Sequence, residues 1–272
     1  MDIISAIILG AVQGLTEFLP VSSSGHLVLL QKIFGITEQT LFFDTMVHAG
    51  TLLAVFAVLR RDIWTVLRRL IQPLTGFLII ATIPTVIAAL AFRKAIEHAF
   101  ESGQFLGFSF LVTAALLCAA ELLSRRGLAG KELKKAEAMN WLDALVIGVL
   151  QAVAIIPGVS RSGATISGAL SRRLERDFAA RFSFLLSIPA ILGATVLQVA
   201  DLAKGGPAAE AVGGVTAAAV IAGTVTAAIV GFFAVRFMLK IIRKRSLFGF
   251  AIYTAVLGIL VLIDQFGTRF VF

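Results

Sequence analysis

Residues Gln13 to His26 read QGLTEFLPVSSSGH, a stretch that places a carboxylate, three serines and a histidine inside an otherwise oily N-terminal segment. The apolar run from Ile3 to Val12 predicts a helix. Pro20 cannot continue it, and Ser22, Ser23 and Ser24 offer N-cap hydroxyls to a second helix beginning near His26. The pattern is two half-helices meeting at a polar break. At a helix start the free backbone N–H groups and the positive dipole end favour an anion, so the serine turn is a seat for phosphate or carboxylate. Close packing of membrane helices would explain the serines. It would not explain Glu17 and His26, because ionisable groups at membrane depth are costly and mark function.

Of the 272 residues 58% are hydrophobic and 15% charged, against roughly 45–50% apolar in a soluble domain. The chain is an integral membrane protein. The 24 Lys and Arg exceed the 16 Asp and Glu by eight, but they sit between apolar spans, so the excess is a topology signal and no nucleic-acid partner is expected. Cys118 has no partner for an intramolecular disulfide. Asp2, with no basic n-region and no evident small-residue cleavage site before the polar motif, leads us to expect residues 1–26 to be mature structure and not a signal peptide.

The segment from His26 to Phe34 is too short to cross a bilayer, which takes about 20 residues. Residues 1–40 therefore form a re-entrant pair, tolerable only when packed in protein or lining a wet cavity. Spans are expected at 41–59, 74–92 and 105–123, with a basic loop around Arg60, Arg61, Arg68 and Arg69, a polar loop at 93–104, and a basic linker carrying Arg125, Arg126, Lys131, Lys134 and Lys135. From Trp141 the first half begins again. Gln13 set on Gln151 without gaps brings Gly10 onto Gly148, Ser22 onto Ser160, Ser24 onto Ser162 and Gly25 onto Gly163, with Arg161 opposite Ser23. Further spans near 179–200, 213–235 and 247–264 follow.

An odd number of spans per half turns the second half upside down, as in inverted-repeat membrane proteins whose broken helices meet near the midplane. The loops at 60–73, 124–140, 172–181 and 236–246 hold 18 of the 24 basic residues. Assigning them to the cytoplasm places both termini outside. The expected fold is all-α: six transmembrane helices plus two re-entrant pairs in one membrane domain 1–272, with halves 1–123 and 141–265 joined by the linker 124–140.

If the two broken tips meet, Ser22, Ser23, Ser24, Ser160, Ser162 and the guanidinium of Arg161 converge on one small volume shaped for a multiply charged anion. Glu17 beside a phosphate makes sense as a ligand for a divalent metal or as a base. His26, three residues after Ser23, is expected to act with it. The set suggests phosphoryl transfer. Asp44 and His48 share a helical face and either extend this site or pair structurally. Gln13 and Gln151 are read as interhelical hydrogen-bond partners, Gln13 also as lining the site, and Glu121, Asp143 and Asp264 as interfacial.

QGLTEFLPVSSSGH together with IIPGVSRSGATISGAL resembles the two signature motifs of the undecaprenyl-diphosphate phosphatase family, of the bacitracin-resistance type, and the resemblance covers essentially the whole chain. It implies removal of the terminal phosphate of undecaprenyl diphosphate, a polyprenyl diphosphate lipid, to regenerate the carrier for cell-wall synthesis, with Mg²⁺ or Ca²⁺ and an active site open to the periplasmic side. The family's motif, similar to Glu/Gln-x-x-x-Glu, falls on Gln13 and Glu17, so Gln13 would reach the metal through its amide oxygen. Ser23, His26 and Arg161 fall on the family's catalytic serine, histidine and arginine. The phosphatidic-acid phosphatases of the second type are set aside, because six residues after Arg161 stands Ser167 where they carry a histidine.

The expected roles are Glu17 as metal ligand or base, Ser23 as nucleophile or phosphate clamp, His26 as acid/base partner and Arg161 as stabiliser of developing charge. Ser22, Ser24, Ser160 and Ser162 would bind the phosphate. A homodimer is compatible with this reading. The rival is a polyprenyl-phosphate flippase or anion transporter built on the same inverted-repeat site.

Overall fold

The computed structural model describes residues 1–36, 40–127, 132–203 and 215–272. Among these, helices dominate, and the β pairing is one isolated bridge between Lys134 and Leu174. Helix α1 (Ile3–Thr16) is capped by Asp2, whose carboxylate accepts from Ser5 N at 2.9 Å. The chain turns over at Pro20 and re-enters a helix as α2 (Ser23–Ile33), one turn earlier than the sequence suggested, because Ser22 and not a later serine serves as its N-cap. Ser22 holds φ 71°, a left-handed conformation uncommon for a residue with a Cβ. Helices α3 (Leu41–Val58), α4 (Arg60–Arg68), α5 (Pro73–Ala91), α6 (Arg93–Ser102) and α7 (Leu106–Gly127) complete the first half.

The second half repeats the order. Helix α8 (Trp141–Val153) starts at a capping box between Asn140 and Asp143, the chain turns at Gly158 (φ 87°), and α9 (Arg161–Ser171) starts at the N-cap Ser160. Helices α10 (Arg176–Ala203), α11 (Ala217–Ile241) and α12 (Phe248–Ile263) follow. Six helices, α3, α5, α7, α10, α11 and α12, are long and apolar enough to cross a membrane, whereas α1 and α8 are not. The protein is thus an all-α, six-span membrane protein. Two stretches expected as loops, 60–69 and 93–104, instead contain α4 and α6. Each is a short amphipathic helix whose charged and apolar residues alternate at the helical period, too polar on average to register in a search for apolar spans. Lys131 and the connection 204–214 lie outside the described residues.

Short helices pack through glycine. A Cβ on Gly10 of α1 would run into the Gly223 carbonyl of α11, and one on Gly148 of α8 into the Ala81 carbonyl of α5. The two residues that the repeat alignment superposes therefore occupy equivalent backbone seams.

All four basic loops meet at one face. Arg181 pairs with Asp62 (2.9 Å) and Asp177 (3.0 Å), Arg243 with Asp177 (2.8 Å), Arg176 with Glu121 (2.6 Å), and Lys134 and Arg172 with Asp143 (2.9 and 2.8 Å). Glu121 and Asp143, at this face, are buried because each gathers two cations, Arg125 and Arg176 on the former and Lys134 and Arg172 on the latter. At the other end of the molecule the terminus of α2 meets the C-terminal tail: Lys32 Nζ lies 4.9 Å over the Phe272 ring, and Gln265 donates to Gly103 O at 2.9 Å.

Candidate active site

The two broken tips are bonded to each other. Ser24 Oγ accepts from Gly158 N at 3.3 Å, and Ser162 Oγ donates to Leu19 O at 3.0 Å. Each helix start is satisfied locally, with Gly25 N on Ser22 Oγ (3.2 Å) and Gly163 N on Ser160 Oγ (3.0 Å). The four serines expected to bind phosphate thus serve here as N-caps and as the seam between tips, and none presents an unengaged hydroxyl. Thr113, which sequence reasoning did not single out, braces the second tip by accepting from Ser160 N at 3.0 Å.

Glu17 is the hub. It caps α1 at 4% side-chain exposure, and Arg161 at the start of α9 reaches its Oε1 through Nη2 at 2.6 Å. The same guanidinium donates through Nη1 to Ser183 O of α10 at 3.3 Å. Glu17 Oε2 accepts from Ser23 Oγ at 2.6 Å and from Gln13 Nε2 at 2.9 Å, and His48 Nε2 stands 3.5 Å away. Of the residues read from sequence, Gln13, Glu17, Ser23 and Arg161 come together, and His48 joins them. Asp44 stays one turn back on α3, held by Gln31 (2.7 Å) and Thr40 (3.2 Å).

His26 does not touch Ser23. Its Nδ1 donates to Ser22 O at 2.6 Å, which leaves Nε2 to accept from Tyr253 O–H at 2.7 Å. The Tyr253 ring stacks on the imidazole with centroids 5.7 Å apart, and Phe110 meets it edge-on. Spacing along α2 placed His26 and Ser23 on one face, but the ring turns back toward the cap carbonyl. Tyr253 was missed, although the only tyrosine in the chain, set in an apolar span, was a signal.

One carboxylate and one buried amide oxygen are the oxygen donors that a divalent cation would meet here. No group of three His, Cys, Asp or Glu side chains is placed for a metal among the described residues, so an ion here would draw on other oxygen atoms. Gln13 Oε1 is buried with no hydrogen-bond partner, beside a carboxylate. A hard cation takes such oxygens, one or two carboxylates and substrate phosphate completing its shell.

Fold and site together define a membrane-embedded enzyme whose buried carboxylate, hydroxyl and guanidinium converge from two distant helix junctions. The comparisons place it further: the sequence model described as "Bacitracin resistance protein BacA" matches residues 6–260. The chain is 45% identical to an undecaprenyl-diphosphatase of Carboxydothermus hydrogenoformans over 99% of its length and 100% of that protein's. It is 40% identical to an undecaprenyl-diphosphatase of Alkaliphilus metalliredigens (97% and 98%) and 43% identical to undecaprenyl-diphosphatase 3 of Bacillus cereus (99% and 100%). The chain belongs to the BacA family.

Proposed function

We infer that this protein hydrolyses undecaprenyl diphosphate to undecaprenyl phosphate and inorganic phosphate. The observation that carries this reading is the 2.6 Å hydrogen bond from Ser23 to Glu17, a hydroxyl held on a base, with Arg161 on the other carboxylate oxygen. In the proposed reaction Ser23 Oγ attacks the terminal phosphorus, its proton passes to Glu17 Oε2, and the bridging P–O bond breaks to release the lipid monophosphate. Glu17 passes that proton to the departing phosphate oxygen, and the carboxylate so restored deprotonates a water that attacks the phosphoserine; the proton returns to Ser23 Oγ as its P–O bond breaks and phosphate is freed. Arg161 has N–H groups beyond its two bonds to Glu17 and Ser183, and in this reaction they would stabilise the charge that develops on the transferring group.

Glu17 and the Gln13 amide oxygen would hold Mg²⁺ or Ca²⁺, which supplies charge neutralisation of the diphosphate. The paired seams at Gly10 and Gly148 support reading the halves as an inverted repeat. Beside nearly buried Glu17, the His48 side chain is 27% exposed, and α3 carries it toward the end of the molecule away from the basic loops. That favours a site opening on the outer side. Nothing in the site or among the relatives favours the flippase or anion-transporter reading.

The test is phosphate release by the purified protein in detergent, given undecaprenyl diphosphate with and without a chelator. Release without any membrane gradient, abolished by chelation and restored by added Mg²⁺ or Ca²⁺, is the expected outcome. Absence of release in both arms would overturn the reading.

A further inference from the structure

His48 faces Glu17 at 3.5 Å, within reach of a salt bridge to a protonated ring but long for a hydrogen bond. Its Nδ1 lies 2.6 Å from Asp44 O, and a ring nitrogen that close to a carbonyl carries the proton. In the neutral ring the lone pair of Nε2 is therefore directed at the Glu17 side, where the nearest atom is Oε2 at 3.5 Å. Such a pair shares either a proton, which makes it a His48–Glu17 salt bridge, or a metal cation. Glu17 already has a full cation on Oε1 and two donors on Oε2. A third acceptor, Gln13 Oε1, is buried beside them without a partner, and rotation of that amide exchanges it with Nε2, now bonded to Glu17.

Donor atoms bound at roughly 2.0–2.2 Å to one cation stand about 3.0–3.5 Å apart, the spacing found between His48 and Glu17. The backbone bond at Nδ1 is the usual support that fixes a ligating imidazole's tautomer. We propose that His48 Nε2 is a third ligand, with Glu17 Oε2 and Gln13 Oε1, of the divalent cation at this site, and that the imidazole turns the site away from Ca²⁺ toward first-row transition cations, of which Mn²⁺ is the spectroscopic probe. Imidazole nitrogen suits transition metals, whereas Ca²⁺ takes oxygen ligands almost exclusively. The inference rests on reading the Glu17 pocket as the phosphoryl-transfer site, but its test reads metal ligation and not turnover.

Full-length protein in detergent is titrated with Mn²⁺ and followed by electron paramagnetic resonance, with pulsed measurements for nitrogen coupled to the bound ion. Wild-type protein should bind one Mn²⁺ with ¹⁴N coupling from an imidazole. His48→Gln should bind on the order of 10–100-fold more weakly and without that coupling, with a helical circular-dichroism spectrum and gel-filtration profile like wild type. Its preference for Mn²⁺ over Ca²⁺ in competition should shrink by a similar factor. Glu17→Gln should bind still more weakly, placing the ion at this carboxylate. Mn²⁺ held without ¹⁴N coupling in the wild type, equal affinity in His48→Gln, or no Mn²⁺ binding at all would overturn the proposal. Phosphate release unchanged alongside any of these would leave the diphosphatase reading standing.

Discussion

Arg161 Nη2 stands 2.6 Å from Glu17 Oε1 although 144 positions separate the two residues in the chain. The side chains are 15% and 4% exposed, so each is the other's charge partner where water is scarce. Together with the Ser24–Gly158 and Ser162–Leu19 hydrogen bonds, this ion pair ties the first helix junction to the second, and it alone brings a guanidinium to Glu17.

Removing either partner leaves a buried charge, which costs about 3–5 kcal/mol. Arg161→Ala should therefore lower the thermal midpoint in detergent and also reduce phosphate release on the order of 10²–10³-fold, the scale of losing one charge-stabilising donor. The double change Glu17→Gln with Arg161→Met separates the effects. With no buried charge left, the midpoint returns toward wild type while phosphate release stays absent. Near-normal turnover of Arg161→Ala would refute a shared site.

Ser23 is the group predicted to take the phosphoryl group. Wild-type protein given undecaprenyl diphosphate labelled in the terminal phosphate, then quenched in acid, should carry the label. Ser23→Ala should carry none, and its turnover should fall on the order of 10⁴–10⁶-fold, as when one member of a nucleophile–base unit is removed. An unlabelled wild type combined with a Ser23→Ala variant keeping a tenth of its turnover would mean that Glu17 activates water directly.

Tyr253 positions His26 through one hydrogen bond and a ring stack. Tyr253→Phe keeps the stack and loses only the bond, worth about 1 kcal/mol, so kcat should fall a few-fold with KM little changed. His26→Ala, which also removes the bond to Ser22 O, should fall much further. Steady-state kinetics distinguish the two, and a Tyr253→Phe variant as inactive as His26→Ala would make the phenol a reacting group itself.

The sites of the helix breaks were legible because Pro20, the Ser22 and Ser160 caps and the Gly158 turn are local signals that act within a few residues. That Glu17 and Arg161 share a site followed only from superposing two motifs. The rotation of each helix was not legible. Four-residue spacing puts Asp44 and His48 on one face of α3, but which face meets Glu17 is set by the close approach of Gly50 to the Thr224 carbonyl of α11. Tyr253 lies 227 positions from His26, so no local pattern joins them. Helices α4 and α6 were legible in the alternation of their charged and apolar residues at the helical period, and were passed over because only long apolar runs were read as helix.

The glycine seams predict a contrast within one residue type. Gly10→Ala pushes a methyl into the Gly223 carbonyl, and Gly148→Ala pushes one into the Ala81 carbonyl, and neither backbone can turn aside as a side chain could. Overpacking of this kind costs about 1–3 kcal/mol, so both variants should melt below wild type. Because α1 and α8 carry the two tips, both should also lose phosphate release before they unfold. Gly76, in α5, has no atom within 4 Å of an added Cβ, and Gly76→Ala should be neutral or stabilising by about 0.5–1 kcal/mol through helix propensity alone. Thermal melts of the three variants decide it. A Gly10→Ala protein as stable as Gly76→Ala would show that α1 can move away from α11 without cost, and the tip it carries would then not be held in register by that seam.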